Sequence, residues 1–209
     1  QVHTYSSTVP LEETLAALDL AWRTGRARYV GVSNFGGWQT GWTLAHQQSG
    51  TGRAPIVSTQ VEYSLVQRGI EREVLPAAER LGLGVLAWSP LGRGVLSGKY
   101  LGGTPADSRA ASPHLAAFVE RYLDPRSRQV VEAVCTAADG LGVAPLEVAL
   151  AWVRDQPGIT APILGARTAA QLRGALEVES VVLPAKIGSA LHDVPTIELG
   201  YPEGTERPR

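Results

Sequence analysis

Methionine is absent from the 209-residue chain and cysteine occurs once, at Cys135. A single cysteine excludes an intrachain disulfide framework, and its place in a helical apolar pattern with Val131 and Val134 points to a packed thiol rather than a nucleophile. Long apolar runs are missing too. None approaches the roughly 18 residues that a membrane-crossing helix requires, and the first residues carry no basic-then-apolar leader pattern. Nor is there a surplus of charge: 19 Lys+Arg against 20 Asp+Glu leave a formal net charge of −1. The arginines are scattered singly, which argues against a nucleic-acid surface and against a polybasic membrane patch. The expectation is a soluble cytoplasmic protein, with neither nucleic acid nor membrane as partner. A start at Gln1-Val2-His3, with no cap and no leading polar segment, adds the expectation of a portion of a larger chain.

What is present is an alternation. Leu11, Leu15, Leu18 and Trp22 recur at helical spacing from Pro10 to Thr24, with Thr8 as candidate N-cap, Glu12 and Glu13 in the first turn and Gly25 after the end. Arg28 to Val32 reads as a strand, Trp38 to Gln48 as a helix, Ile56 to Val61 as a strand, Ile70 to Leu81 as a helix and Gly84 to Trp88 as a strand. Helices follow at Ser127–Leu141 and Pro145–Arg154, then a strand at Thr160–Leu164 and a helix at Thr168–Glu177. Strands separated by helices pair in parallel, because a parallel connection must cross back over the sheet. That leaves a doubly wound sheet or a (β/α)8 barrel. Polar or Gly-rich groups follow nearly every strand end: His3, Ser33-Asn34, Gln60 to Tyr63, Ser89 to Gly94 and Gly165 to Thr168. A barrel gathers such ends at one mouth, whereas an open sheet places one Gly-x-Gly-x-x-Gly at a switch point, and no such motif follows an early strand here. The barrel is favoured.

The stretch Trp88-Ser89-Pro90-Leu91-Gly92-Arg93-Gly94, leading to Ser97-Gly98-Lys99-Tyr100, carries the most chemistry. Glycines let backbone N–H groups approach an anion, and Arg93 and Lys99 supply charge for a phosphate. A plain surface turn reads the same way.

Five ordered motifs resemble the aldo-keto reductase superfamily: Gln1-Val2-His3, Gly31 to Phe35, Gln60 to Leu65, Trp88 to Leu91 with Ser97 to Tyr100, and Pro162 to Arg167. The wording from Trp88 to Tyr100, followed by Asp107-Ser108-Arg109-Ala110, is similar to the branch of bacterial sugar-ketone reductases and potassium-channel beta subunits. The resemblance implies the last five units of a (β/α)8 barrel over residues 1–194, a tail over 195–209, and NADPH-dependent reduction of an aldehyde or ketone. A regulatory subunit that binds the cofactor with slow or no turnover is the alternative. The family's Asp, Tyr and Lys would lie upstream, and such a partial barrel, with open strand edges, is expected not to fold stably alone. His3 matches the histidine that polarises the substrate carbonyl. Ser33, Asn34 and Gln60 match the nicotinamide carboxamide contacts, and Tyr63 matches the aromatic that stacks on the ring. Ser89, Pro90, Leu91, Gly92, Arg93 and Gly94 match the pyrophosphate loop after Trp88, with Lys99 nearby. Arg109 and Arg167, beside Gly165, match positions near a 2′-phosphate, and Gln171 an adenine-side contact. The segment from Leu101 to His114 matches the loop that folds over the cofactor. No metal is implied. Bland roles stand beside these: core packing for Tyr63, a helix cap for Asn34, solvation for the arginines.

Overall fold

The computed structural model describes residues 1–194, so the tail from Pro195 to Arg209, with Tyr201-Pro202, lies outside the described residues. Four parallel strands, β1 (Val30–Ser33), β2 (Ile56–Glu62), β3 (Gly84–Trp88) and β4 (Ala161–Ile163), pair in chain order β1-β2-β3-β4. Val2 adds one parallel bridge to Val32, and its N–H donates to Gly31 O at 3.0 Å, so the segment leading into His3 lies along the outer side of β1. The order never reverses, and a doubly wound sheet requires a reversal.

Helices α1 (Leu11–Arg23), α2 (Gly37–Gln48) and α3 (Val74–Leu81) precede β1, β2 and β3 in turn. Between β3 and β4 the chain makes a longer excursion through α4 (Ala116–Glu120), α5 (Pro125–Leu141) and α6 (Pro145–Arg154), and α7 (Ala169–Leu176) and α8 (Ala185–Asp193) follow β4. Register fixes the two faces of the sheet. Thr59 and Val61 stand beside Val85 and Ala87, all four are buried, and they pack beneath the helices with Leu15, Leu44, Val74, Val134 and Trp152. On the opposite face Ser58, Gln60 and Glu62 align with Gly84, Leu86 and Trp88, and all six are half-buried. One face is thus covered and apolar but for Thr59, while the other carries Ser58, Gln60 and Glu62.

The buried carboxylate of Asp19 ties two units together, accepting from Gln47 Nε2 at 2.7 Å and from Ala54 N at 2.8 Å. Thr8 does not cap α1. The N-cap position is Pro10, with no side-chain cap, while the Thr8 hydroxyl pairs with Ser6 Oγ at 3.1 Å. The expected helix from Ile70 is broken: a 3-10 turn spans Gly69–Glu71 and α3 begins at Val74, while Arg68 and Glu71 pair at 2.7 Å across the turn. Cys135 is half-buried, and burial first, then Asp139 and Glu132, push its thiol pKa up, which disfavours a nucleophilic thiolate.

The longest helix, α5, is capped. Asp124 accepts from the N–H groups of Arg126 at 2.9 Å and Ser127 at 3.1 Å and from Ser127 Oγ at 2.6 Å, with Pro125 at the first helical position. The Ser127 hydroxyl first, and the backbone donors after it, hold the Asp124 carboxyl below its ordinary 3.8. A carboxyl depressed by folding stabilises the fold above its unfolded pKa and loses that contribution as pH falls through the folded value. Asp124→Ala is therefore expected to cost about 1 kcal/mol at neutral pH. In urea titrations at stepped pH, the gap between variant and wild type should close in acid.

Among the described residues no single helix is long and apolar enough to cross a membrane, and no cluster of His, Cys, Asp and Glu has the makings of a metal site.

Candidate functional site

The strand ends that carry polar motifs are joined by a short network. Asn34 Nδ2 donates to His3 O at 2.8 Å and to Ser33 Oγ at 3.1 Å, while its Oδ1 accepts from Trp88 Nε1 at 3.0 Å. Ser33 Oγ in turn donates to Gln60 O at 2.7 Å. One asparagine amide thus ties the segment ending at His3, the end of β1 and the end of β3, and Ser33 extends the tie to β2. Three non-glycine residues among those described have positive φ: Asn34 (56°), Ser89 (57°) and Arg93 (61°). All three follow a strand end on this side of the sheet. Left-handed backbone at non-glycine residues costs of order 1–3 kcal/mol each and gathers where geometry serves a site.

Beside this network a cleft of about 490 Å3 runs between the loop after β3 and the loop after β4. It collects Trp88, Ser89, Pro90, Leu91, Arg93, Gly94 and Lys99 from one side, Gly165, Arg167 and Gln171 from the other, and Arg109 from the segment after Tyr100. That volume falls within the range of small-molecule sites. Among the described residues no carboxylate lines it, whereas Lys99, Arg109 and Arg167 are exposed cations on its walls. Arg167 lies at the start of α7, where Thr168 caps Gln171 N at 3.2 Å and Gln171 Oε1 accepts from Arg167 N at 2.9 Å. Its Nη2 also reaches Asp107 O at 3.3 Å, which ties the two walls. A groove of about 830 Å3 lies elsewhere, between the loop after β2 and the start of α5, and gathers none of the candidate cofactor residues.

Sequence reasoning placed Tyr63 and Arg93 differently. Tyr63 is 1% exposed, packs at 5.5 Å from the Trp152 ring and donates its hydroxyl to Glu71 Oε1 at 2.7 Å. Burial, reinforced by Glu71, drives its pKa far up, so the ring stays neutral inside the core. The aromatic side chains at the cleft are Trp88 and Phe118. Strand alternation carries the signal: Tyr63 continues the parity of Thr59 and Val61 towards the helices, and Trp88 continues that of Gly84 and Leu86 on the other face. Arg93 borders the cleft, but its charge is spent on Glu62, at 2.9 and 3.1 Å. The glycine-rich loop is also less open to an anion than its composition implies. The N–H groups of Gly92, Arg93, Gly94 and Leu96 donate within the loop, to Ser89 O, Ser89 Oγ, Leu91 O and Leu91 O. Lys99 remains as the exposed cation of that stretch, with its Nζ 5.1 Å from the Tyr100 ring centroid.

His3, Ser33, Asn34 and Gln60 are outside the cleft lining, on the strand-end side beyond Trp88. Ser33 is fully engaged and buried. The Gln60 amide makes no hydrogen bond among the described residues, and it sits on the polar sheet face beside Leu86.

The model of the Aldo/keto reductase family matches residues 1–194. An uncharacterized oxidoreductase, YrpG, of Bacillus subtilis is 38% identical over 194 residues, covering 93% of this chain and 57% of its own. A probable voltage-gated potassium channel subunit beta of rice is 33% identical, covering 98% of this chain and 62% of its own. Protein tas of Escherichia coli is 36% identical, covering 81% of this chain and 48% of its own. The chain therefore spans about half to three-fifths of the length of these relatives. With a family match over every described residue, the chain belongs to the aldo/keto reductase family.

Proposed function

We propose that this chain forms the cofactor-holding arc of a (β/α)8 barrel and serves NADPH-dependent reduction of an aldehyde or ketone. The observation that carries the reading is the cleft with three exposed cations and, among the described residues, no carboxylate, ending at an indole. A dinucleotide phosphate needs that donor set: a point charge for the pyrophosphate, forked guanidinium groups for a 2′-phosphate, and a flat apolar face for the nicotinamide. Lys99 would take the pyrophosphate, Arg109 and Arg167 the 2′-phosphate, Gln171 the adenine edge, and Trp88 the ring. NADPH, when bound, supplies hydride. The Gln60 amide, with both donor and acceptor capacity uncommitted, suits a carboxamide. Asn34 works one step back, since its bond to the indole at 3.0 Å fixes the plane of Trp88.

His3, exposed at the mouth, would hydrogen-bond the substrate carbonyl oxygen and favour the negative charge that develops there. The sequential, unreversed strand order supports an arc of a barrel, and the half-buried polar face of the sheet would look into its interior.

Trp88 fluorescence should be quenched on titration with NADPH, and more weakly with NADH. An aldehyde or ketone should then drive loss of NADPH absorbance. Tight NADPH binding without that loss would favour a regulatory cofactor-binding subunit, a role suggested by the name of the rice relative. Absence of binding would overturn both.

A further inference from the structure

Arg93 is set in an unusual frame. Gly92, Arg93 and Gly94 have consecutive positive φ values of 53°, 61° and 97°, and the Arg93 N–H is held by Ser89 Oγ at 3.0 Å. This turn drives the side chain inward until the residue is 5% exposed. Its guanidinium forks onto Glu62, donates through Nη1 to Phe118 O at 2.6 Å, and lies 3.4 Å from the centroid of the Phe118 ring, with the Tyr122 ring at 5.2 Å and Trp88 at 5.8 Å. Tyr122 closes the cluster by donating to Glu62 Oε1 at 2.9 Å. Three parts of the chain meet at one cation: the end of β2, the loop after β3, and the segment 101–123 that contributes Arg109 and Phe118 to the cleft wall.

We propose that Arg93 is the pin that holds segment 101–123 against the cleft, a positioning residue that sets how fast a bound nucleotide leaves rather than a ligand of its phosphates. The nucleotide part rests on the function proposed above; the pin does not. A guanidinium is required because only a planar fork satisfies a bidentate carboxylate and stacks on a ring at once. The left-handed backbone persists because the cluster over-determines it.

The test compares Arg93→Lys and Glu62→Gln with wild type in the intact protein, by amide exchange of segment 101–123 without ligand and by NADPH dissociation in a chase experiment. Near-ultraviolet circular dichroism would check that each variant folds. The pin predicts that Arg93→Lys, although it keeps the charge, speeds exchange in 101–123 and NADPH release by tenfold or more. Glu62→Gln, which touches no nucleotide, should move both in the same direction. Unchanged exchange and release in Arg93→Lys would overturn the proposal, as would a slower NADPH association with unchanged exchange, the signature of a phosphate ligand. A wild-type protein that binds no NADPH, yet whose segment 101–123 exchanges faster in Arg93→Lys, would uphold the pin and overturn the proposed function.

Discussion

Trp152→Ala is expected to remove about 3–5 kcal/mol of stability, while Trp152→Phe should be close to neutral. The Trp152 side chain is fully buried on α6. Its ring lies 5.5 Å from that of Tyr63 and 6.2 Å from that of His192, with the Arg68 guanidinium 5.4 Å from its centroid. Truncating so large a side chain in a packed site costs about 3–5 kcal/mol, against a total stability of about 5–15 kcal/mol for a typical domain. The loss spreads further, because Arg68 on that ring also holds Glu71 and the His192 backbone and so ties α8 to the loop after β2. Phenylalanine behaves differently. Among the described residues the buried Trp152 indole N–H has no hydrogen-bond partner, a condition that costs about 1–3 kcal/mol. Removing that donor offsets much of the smaller volume of phenylalanine. Urea midpoints for the two variants separate the effects: equal losses would mean that volume alone governs the site, or that the N–H is not the cost assigned to it.

Replacing both Arg109 and Arg167 by alanine is expected to abolish any preference for NADPH over NADH. Each charge-assisted hydrogen bond to a phosphate contributes about 1.5–3 kcal/mol, or roughly tenfold to a hundredfold in affinity. The double variant should therefore bind NADPH about as weakly as wild type binds NADH, with NADH binding little changed. Lys99→Ala should instead weaken both nucleotides by similar factors, because the pyrophosphate is common to them. Fluorescence titration of the three proteins with each nucleotide gives the full comparison. A double variant that kept its preference would place the 2′-phosphate elsewhere. The Arg167 bond to Asp107 O carries one complication: its loss frees part of the cleft wall, so the single variants are needed to separate charge from wall position.

The elements of this fold were largely legible in the sequence, and the pairing of side chains was not. Gly84–Trp88 and Pro145–Arg154 fall on their expected bounds, because glycine and proline mark both starts and the apolar runs stop sharply. The start of α5 at Pro125 was legible in principle from Asp124-Pro125 but lay outside the apolar periodicity. The short helix Ala116–Glu120 sits in a stretch without helical pattern, stabilised mainly by what Phe118 and Val119 touch. Site residues divide in the same way. Lys99, Arg109 and Arg167 reach one cleft from positions far apart in sequence, as the motif order implies. Arg93 looked like a free cation because its partner, Glu62, lies 31 residues away on another strand, and no local pattern records such a pair. Tyr63 matches a cofactor contact by its motif but continues the buried parity of Thr59 and Val61, and Leu86 and Trp88 are as apolar as the buried Val85 and Ala87, which conceals the alternation on β3.

The strand order has a consequence for synthesis. Each of β2, β3 and β4 pairs with the strand made just before it. As the chain emerges, every new strand finds its template already exposed, at a sequence distance of about one helix for β2 and β3. The wait is longest before β4, while α4, α5 and α6 are made, and in that interval the far side of β3 is open. Ribosome pauses within residues 89–160 would prolong the longest stage at which a nascent edge stays open to capture by the wrong strand.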